Sequence, residues 1–299
     1  MNVLIIGSKG FVGSHCHRYF SGLGYNVFGC DIQFSDESNY FQFHGIEKDY
    51  GFIFKENKFD VCINAAGAAN VSDSFANPEK DFALNVSLVF SLLNAIKNYN
   101  PDCKLVNLSS AAVYGNPSEL PIKETAHLRP LSPYGYHKML SEKLLIEYHH
   151  LFGLKTCSLR VFSAYGPGLR KQLFWDLYLK MKLSSNLVLS GTGTESRDFI
   201  YIDDLVSAIH RIVNSAFFCG ESINVSSGVE TKISEAVKIF AHYLRNEASI
   251  KFDGLTRLGD PKNWKADVND LTNMGFHPNY TINDGIRNTV DWLVNTTSS

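Results

Sequence analysis

The stretch Met1–Gly13, MNVLIIGSKGFVG, decides the fold of this chain. Its apolar run, Val3–Ile6, has the length and branching of a buried strand. The glycines at 7, 10 and 13 then predict a tight turn that opens a helix. A side chain at Gly7 would obstruct the turn, and one at Gly10 would keep a pyrophosphate from the backbone. A side chain at Gly13 would push the helix off the strand. The free N–H groups at the start of that helix would bind the phosphates of a dinucleotide.

The next predicted strand carries an acid at its end. Val27–Cys30 is a second short apolar run, and Asp31 follows it about 20 residues past the glycines. A carboxylate at that distance suits the ribose hydroxyls of an adenosine. The order of strand, turn, helix and acid therefore favours a dinucleotide-binding unit over a glycine-rich turn that binds no ligand.

Composition excludes several classes of protein. With 44% hydrophobic residues in a chain of 299, a sizeable core can form, so the chain is not disordered. The net charge is −2 without a basic run, so we expect neither nucleic acid nor an anionic membrane as a partner. No apolar stretch approaches the ~18 residues of a membrane span. Met1 leads directly into a strand, so we expect no signal peptide.

The cysteines and histidines carry no sign of a metal or disulfide site. The six cysteines are scattered without a Cys-x-x-Cys pair, and most lie in apolar, strand-like runs. We interpret them as reduced, small core residues of a cytoplasmic protein. The ten histidines show no convincing metal-ligand spacing, so we expect no metal.

Strands and helices alternate through the first half of the chain. Predicted strands at Asp60–Asn64, Lys104–Leu108 and Thr156–Val161 are separated by predicted helices at Glu79–Asn98 and Pro133–Phe152. This alternation predicts an α/β fold, a doubly wound parallel sheet of the Rossmann type with right-handed crossovers.

After residue 166 the elements become shorter and less regular. We predict a Rossmann domain over residues 1–166 and a smaller C-terminal α/β lobe, which binds the substrate, over residues 167–299. No linker rich in Pro or Gly separates the halves, so we expect the lobe to pack on the first domain, with some segments returning to it.

Polar and small residues collect where the predicted strands end, the edge at which ligands bind in such sheets. In chain order these ends are Gly7–Gly13, Asp31, Ala65–Gly67, Ser109-Ser110 and Val161–Ser163. The two serine hydroxyls are interpreted either as caps of the strand end or as substrate contacts.

The predicted helix after this serine pair begins with Tyr134 and carries Lys138 one turn later. Residues four apart share a helix face, so the two side chains can meet over the site. A neighbouring ammonium, helped by a nicotinamide cation, would lower the tyrosine pKa towards neutrality, which needs roughly 4 kcal/mol. Such a tyrosine can exchange a proton with a sugar or alcohol while hydride moves to or from the nicotinamide. The spacing alone is not specific, because Tyr178 and Lys182 repeat it on what we interpret as an ordinary helix surface.

Further motifs follow in order along the whole chain. They are Gly7-x-x-Gly10-x-x-Gly13, Asp31, Asn64–Gly67, Asn85-Val86, Ser109–Gly115, Tyr134-x-x-x-Lys138, Leu159–Phe162, Tyr165–Pro167, Gly191–Asp204 and Arg257–Asp260. Together they resemble the extended short-chain dehydrogenases/reductases of the NAD-dependent epimerase/dehydratase type.

The resemblance implies roles for individual residues. It implies Ser110, Tyr134 and Lys138 as the catalytic set, with Lys138 also on the nicotinamide ribose. Expected at the cofactor are Gly7, Lys9, Gly10, Phe11, Val12, Gly13, Asp31, Ile32, Ala65, Ala66, Gly67, Asn85, Leu108, Tyr134, Lys138 and Val161. Expected at a nucleotide-diphosphate sugar are Ser109, Ser110, Ser163, Arg197, Arg257 and Asp260.

The two arginines of the substrate set are implied as a clamp on the diphosphate, for which an arginine fork suits both charge and geometry. The alternative for either arginine is a surface ion pair, in the case of Arg197 with its neighbour Asp198.

Departures from the family pattern narrow the reaction. Sugar-nucleotide 4,6-dehydratases carry an Asp-Glu pair just after the hydroxyl residue, where this chain has Ala111 and Ala112. A reductase-epimerase of the GDP-fucose synthase kind would have a cysteine near Ala112, and none is there. Two reactions remain. One is 4-epimerisation, in which one cofactor takes a hydride from C4 and then returns it, and the other is simple reduction of a 4-keto sugar.

Other departures concern the substrate and the cofactor. Ser163 stands where sugar epimerases usually have an asparagine, and Phe43–Ile46 replaces the residues that usually contact adenine, so that contact stays unassigned. Asp31 favours NAD, because its carboxylate would repel a 2′-phosphate. Lys9 is placed where basic residues in some relatives contact that phosphate, which leaves NADP as the alternative cofactor. We favour the interpretation that Lys9 is a solvated loop residue.

These observations predict an NAD(P)-dependent enzyme that acts at C4 of a nucleotide-linked hexose. A 4-epimerase similar to UDP-glucose 4-epimerase is the first hypothesis, and a reductase of a nucleotide-linked 4-keto-6-deoxyhexose is the second. A non-catalytic NAD(H)-binding regulator is the alternative from another class, disfavoured because both Tyr134 and Lys138 are present. The resemblance also implies a homodimer formed through the two long helices, in which Phe90 and Leu145 serve either the interface or the sheet packing.

Overall fold

The computed structural model of the chain describes residues 1–43, 49–255 and 258–297. The strands are β1 Asn2–Ile6, β2 Asn26–Asp31, β3 Tyr40–Gln42, β4 Val61–Asn64, β5 Lys104–Ser110, β6 Thr156–Val161, β7 Ser163–Tyr165, β8 Asn186–Leu189, β9 Ser196–Tyr201, β10 Cys219–Val225, β11 Glu230–Lys232 and β12 Ser249–Phe252. The helices are α1 Phe11–Gly22, α2 Gly51–Glu56, α3 Val71–Ala76, α4 Pro78–Phe82, α5 Leu88–Tyr99, α6 Pro133–Phe152, α7 Gln172–Leu183, α8 Ile202–Ser215, α9 Ile233–Leu244, α10 Asn269–Asn273 and α11 Ile282–Thr297.

Seven strands form one parallel sheet in the order β10-β6-β5-β4-β1-β2-β3. The strand order reverses between β1 and β4, so the carboxyl ends of these two strands lie side by side at the switch point where such sheets bind ligands. The predicted doubly wound Rossmann sheet is confirmed.

Both faces of this sheet are buried, as the run of apolar residues in β1 indicates. Val3 and Ile5 belong to the core that α1 and α8 cover, whereas Leu4 and Ile6 belong to the core under α2, α5 and α6. Successive side chains of a strand point to opposite faces, so an uninterrupted apolar run is what two helical layers require.

The smaller lobe holds a three-stranded sheet, β11-β9-β7, and a two-stranded sheet, β12-β8. Helices α7, α9 and α11 pack together with these strands. Between β9 and β11 the chain returns to the large sheet, because α8 packs on α1 and β10 pairs with β6. The division at residues 1–166 and 167–299 stays a prediction, and residues 202–225 are the segment that lies with the large sheet.

The two long helices differ in regularity. Pro133–Phe152 forms as predicted, and the Ser132 hydroxyl caps it by accepting from the Gly135 N–H. The predicted helix Glu79–Asn98 forms as α4 and α5, joined by a π-helical turn over 83–87.

The prediction of core cysteines is wrong for Cys219, which is exposed, whereas the other five are buried. Within the described ranges, none of the helices combines the length and apolar character that crossing a membrane requires.

Candidate active site

The turn between β1 and α1 needs glycine for reasons internal to the protein. Gly7 has φ +78°, and a Cβ on it would lie 2.7 Å from the Ala66 nitrogen. A Cβ on Gly13 would lie 2.0 Å from the Gly7 oxygen. Gly10 is less confined, with its Cβ 3.2 Å from that oxygen, and it begins α1 without a side-chain cap. The start of α1 thus leaves backbone N–H groups exposed beside a smooth glycine surface, which fits a pyrophosphate.

A cluster of charged groups surrounds the end of β2. The Asp31 carboxylate accepts from the Lys9 N–H at 2.9 Å and from the Ile32 N–H at 2.7 Å. The Lys9 ammonium donates to the Glu37 carboxylate at 2.9 Å. Sequence reasoning missed Glu37, because the pairing depends on how the loop after β2 folds back towards the glycine turn.

Tyr134, Lys138 and Ser110 come together where β5 ends and α6 begins. The Lys138 ammonium is buried and donates to the Leu108 carbonyl at 2.8 Å, and it lies 5.9 Å from the centre of the Tyr134 ring. The Ser110 hydroxyl hydrogen-bonds with Tyr134 and also accepts from the Ala112 N–H at 3.1 Å. The helix spacing predicted the Tyr134–Lys138 proximity, and the parallel pairing of β5 and β6 positions the serine.

Burial controls the titration of this pair. It raises the pKa of Tyr134 to about 12, against a smaller lowering effect of the Ser110 hydrogen bond. Burial also lowers the pKa of Lys138 to about 8, while Asp81 and Glu142 oppose that shift. The sequence-based expectation of a lowered tyrosine pKa is therefore wrong for the protein by itself, because desolvation of the phenolate and the charge of Asp81 both raise the pKa of Tyr134. A nicotinamide cation bound beside the ring would lower this pKa.

The residues around Gly67 fit the nicotinamide ribose of such a cofactor. A Cβ on Gly67 would lie 2.7 Å from the Asn85 Oδ1 and 3.3 Å from the Lys138 Nζ, so only glycine leaves this space open. Among the described residues, the buried Asn85 Oδ1 and Asp81 Oδ2 have no hydrogen-bond partner. An unpartnered acceptor and an ammonium on either side of an open space suit a pair of ribose hydroxyls.

The π-helical turn places Asn85 beside Gly67, and a hydrogen bond to Asp81 holds the Asn85 side chain in position. The Asn85 amide donates to the Asp81 Oδ1 at 3.1 Å, and the same oxygen lies 2.6 Å from the His137 Nδ1. Sequence reasoning set His137 aside because it points away from the Tyr134–Lys138 face. Its partner lies 56 residues away, and no local pattern could have identified it.

Ser109 joins the cavity to a buried ionic network. Its hydroxyl donates to the buried Glu142 carboxylate at 2.5 Å, and Glu142 in turn pairs with Arg160 at 2.8 Å. Arg160 also donates to the Tyr114 hydroxyl at 2.9 Å. Ser109 also lines the cavity, so its assignment as a substrate contact stays a prediction, while its hydroxyl is bound to this buried ionic network.

A cavity of about 700 Å³ lies between the carboxyl edge of the seven-stranded sheet and the smaller lobe. Its lining contains the expected residues Gly10, Phe11, Val12, Ala65, Ala66, Gly67, Leu108, Ser109, Ser110, Tyr134, Lys138, Val161, Ser163, Arg197 and Asp260. The catalytic cluster thus lies in the same cavity as the lobe residues expected to hold the substrate. The other expected cofactor residues lie beside this cavity, in the turn after β1 and at the end of β2, namely Gly7, Lys9, Gly13, Asp31 and Ile32.

Arg197 reaches the cavity from β9. Its guanidinium lies 5.5 Å from the Trp264 ring and donates to the Ser196 carbonyl at 2.8 Å. Burial lowers its pKa, against the attraction of Asp260 and Glu195. The alternative of an ion pair with Asp198 is wrong, because that carboxylate is fully buried and accepts from Ser226, Ser227 and Ala266 instead.

Arg257 lies outside the described residues, as do residues 44–46 of the segment that departs from the usual adenine contact. Tyr178, in the second Tyr-x-x-x-Lys pair, is buried, so the interpretation as helix surface is wrong for this residue. The described residues contain no group of three or more His, Cys, Asp or Glu side chains that could hold a metal.

Comparison with known proteins agrees with this geometry. The model of the NAD dependent epimerase/dehydratase family matches residues 3–226. The chain belongs to this family. The resemblance inferred from its motifs is confirmed, as is the fold that the resemblance implies.

Among relatives in the NAD-dependent epimerase/dehydratase family, a putative UDP-glucose 4-epimerase from Methanocaldococcus jannaschii is 27% identical over 98% of both chains. A UDP-N-acetylglucosamine 4-epimerase from Methanobrevibacter ruminantium, solved with UDP-N-acetylmuramic acid, is 27% identical with a TM-score of 0.88, covering 99% of this chain and 98% of its own. A Tyr-to-Phe mutant of a UDP-glucuronic acid 4-epimerase from Bacillus cereus, solved with NAD and a fluorinated UDP-sugar, is 26% identical, with a TM-score of 0.88 over 99% and 100%.

Proposed function

We propose that this protein is an NAD-dependent 4-epimerase of nucleotide-diphosphate hexoses. The observation that carries the proposal is the buried Tyr134 hydroxyl, hydrogen-bonded to Ser110, in one cavity with Arg197. The relatives support it, because those named above are UDP-sugar 4-epimerases and one is solved with NAD.

The chain's own residues would divide the work as follows. Tyr134 accepts the proton of the C4 hydroxyl and later returns it, while Ser110 orients that hydroxyl by hydrogen bonding. Lys138 holds the ribose beside Asn85 and stabilises the phenolate form of Tyr134. Bound NAD supplies the hydride acceptor and donor. Arg197 holds the diphosphate through charge-assisted hydrogen bonds.

The cavity wall argues for epimerisation over dehydration. Ala111 is buried and Ala112 lines the cavity, so no carboxylate pair is available there to eliminate water. Epimerisation requires that the keto sugar present both of its faces to the hydride donor. Small residues on the wall, Ala68, Ala69 and Ser163, leave space for that reorientation.

The decisive assay uses substrates labelled with deuterium at C4. We expect the protein to interconvert UDP-glucose with UDP-galactose, or the corresponding UDP-glucuronate or UDP-N-acetylglucosamine pair, without net change in NADH absorbance. Because hydride returns from the same cofactor, mass spectrometry should find the label retained. Turnover that consumes stoichiometric NADPH with a 4-keto-6-deoxy sugar, without interconversion of any pair, would identify the reductase alternative instead.

Replacing Arg197 with methionine is expected to weaken the binding of UDP alone about 10- to 100-fold, the loss of one or two charge-assisted hydrogen bonds. Isothermal titration with UDP measures the effect. NAD binding in the same variant should stay unchanged, because Arg197 lies in the lobe. Arg211→Met, an exposed arginine on α8, is the matched control. Equal UDP affinity in both variants would remove Arg197 from the substrate site.

We further infer a homodimer formed through α5 and α6. Large apolar side chains on these helices are exposed in the single chain, namely Phe90, Tyr136, Leu140, Leu151 and Phe152. Such a set suits a contact between helices of two copies. Light scattering on the purified protein should give twice the mass of one chain. We also propose a cytoplasmic location, which the buried thiols of Cys16, Cys62, Cys103 and Cys157 support.

A further inference from the structure

We propose that Glu37 selects NAD against its 2′-phosphorylated form by neutralising Lys9. The inference rests on the proposed use of NAD and goes beyond it, since it assigns a selectivity residue in the loop after β2. Nothing in the glycine turn or in the catalytic cluster requires an acid at this position.

The backbone geometry places Lys9 at the adenosine end of the cofactor site. Its N–H donates to the Asp31 Oδ2 at 2.9 Å, which fixes residue 9 beside the carboxylate expected to bind the ribose. Asp31 is itself held by the Ile32 and Gln33 N–H groups, at 2.7 and 3.3 Å. A lysine fixed next to that carboxylate is within reach of a phosphate on the 2′ oxygen of the same ribose.

The Lys9 side chain is directed elsewhere by the loop. Its ammonium is 2.9 Å from the Glu37 Oε1 and 5.1 Å from the centre of the Tyr40 ring. The hydrogen bond from Lys9 lowers the pKa of Glu37, with a smaller contribution from His17 on α1, so the carboxylate is ionised at neutral pH. Both side chains are partly exposed, so Lys9 can be released without unfolding the loop.

The charge balance gives the direction of the effect. Asp31 and Glu37 together outweigh Lys9 by one negative charge, and a 2′-phosphate adds nearly two more. An adenosine with a free 2′ hydroxyl brings no such charge and can donate to Asp31. Removing the Glu37 charge would leave Asp31 and Lys9 balanced and would free the ammonium to donate to the phosphate.

The test is the affinity for NADH and NADPH, measured by nucleotide fluorescence on protein stripped of bound nucleotide. Glu37→Gln is expected to tighten NADPH binding about 10-fold, the size of one charge-assisted hydrogen bond, and to change NADH binding less than about 3-fold. Asp36→Asn is the matched control, because it removes an equal charge from an exposed neighbour of Glu37 and should change neither affinity. Adding Lys9→Met to Glu37→Gln should abolish the gain.

Any of three results would overturn the proposed role of Glu37. Asp36→Asn could reproduce the NADPH gain, which would make it a general effect of loop charge. Lys9→Met could weaken NADPH binding in the wild type as much as in Glu37→Gln, which would mean that Lys9 is already available. If the wild type binds NADH and Glu37→Gln leaves the ratio of affinities unchanged, only the role of Glu37 fails. Wild-type protein that binds neither nucleotide would overturn the proposed function as well.

Discussion

Tyr134→Phe is expected to lower kcat about 10²- to 10⁴-fold, the contribution that one positioned acid–base group makes. The variant keeps the ring, so the buried packing of Tyr134 survives and only the hydroxyl that hydrogen-bonds Ser110 is lost. Single-turnover assays with a UDP-hexose measure the loss of rate. Titration with NADH and UDP should find both affinities within about 3-fold of the wild type, because neither ligand depends on this hydroxyl for binding.

Tyr136→Phe is the matched control for this experiment. It removes a hydroxyl from the same helix two residues later, but its side chain is exposed and points away from Lys138. We expect wild-type turnover. If Tyr134→Phe turned over at the wild-type rate, proton transfer would have to use another group and the proposed mechanism would be wrong.

Arg160→Met is expected to lower the free energy of unfolding by about 3–5 kcal/mol, because it leaves the Glu142 carboxylate buried without its countercharge. The pair is nearly inaccessible, with 7% of the Arg160 side chain and 2% of the Glu142 side chain exposed. The hydroxyls of Ser109 and Ser222 would still donate to Glu142, but two neutral hydrogen bonds do not replace a bidentate guanidinium. Urea unfolding measures the change.

Two further variants separate charge from packing. Lys155→Met breaks an exposed pair with Asp102 at 3.1 Å and should cost less than about 1 kcal/mol. The double variant Glu142→Met with Arg160→Met removes both charges and should recover much of the stability lost by Arg160→Met alone. If the double variant were no more stable than the single one, shape and volume would explain the loss instead of the unpaired charge.

Local sequence predicted those features whose cause is local. Gly13 is required by the Gly7 oxygen within the turn, and Gly7 has a φ of +78° that the turn itself imposes. The Ser132-Pro133 start of α6 fixes the helix on which Tyr134 and Lys138 meet. Each of these depends on residues close together in the chain, so spacing alone was sufficient.

What sequence could not predict depends on contacts between distant elements. Nothing near Ser109 in the chain predicted that its hydroxyl donates to Glu142, 33 residues away. Asp198, which was only the alternative ion-pair partner of Arg197, accepts instead from the Ala266 N–H, 68 residues away. The direction of the Tyr134 pKa shift depends on the depth of burial, which residue spacing does not reveal.

The return of β10 to the large sheet has a consequence for how such enzymes can diverge. The lobe is assembled from two stretches that lie on either side of α8 and β10. Exchanging everything after residue 166 for the equivalent part of a relative would therefore also replace an edge strand of the nucleotide-binding sheet and a helix packed on α1. New substrate preferences in this architecture are consequently expected to arise by changes within the two stretches, with residues 202–225 inherited together with the sheet.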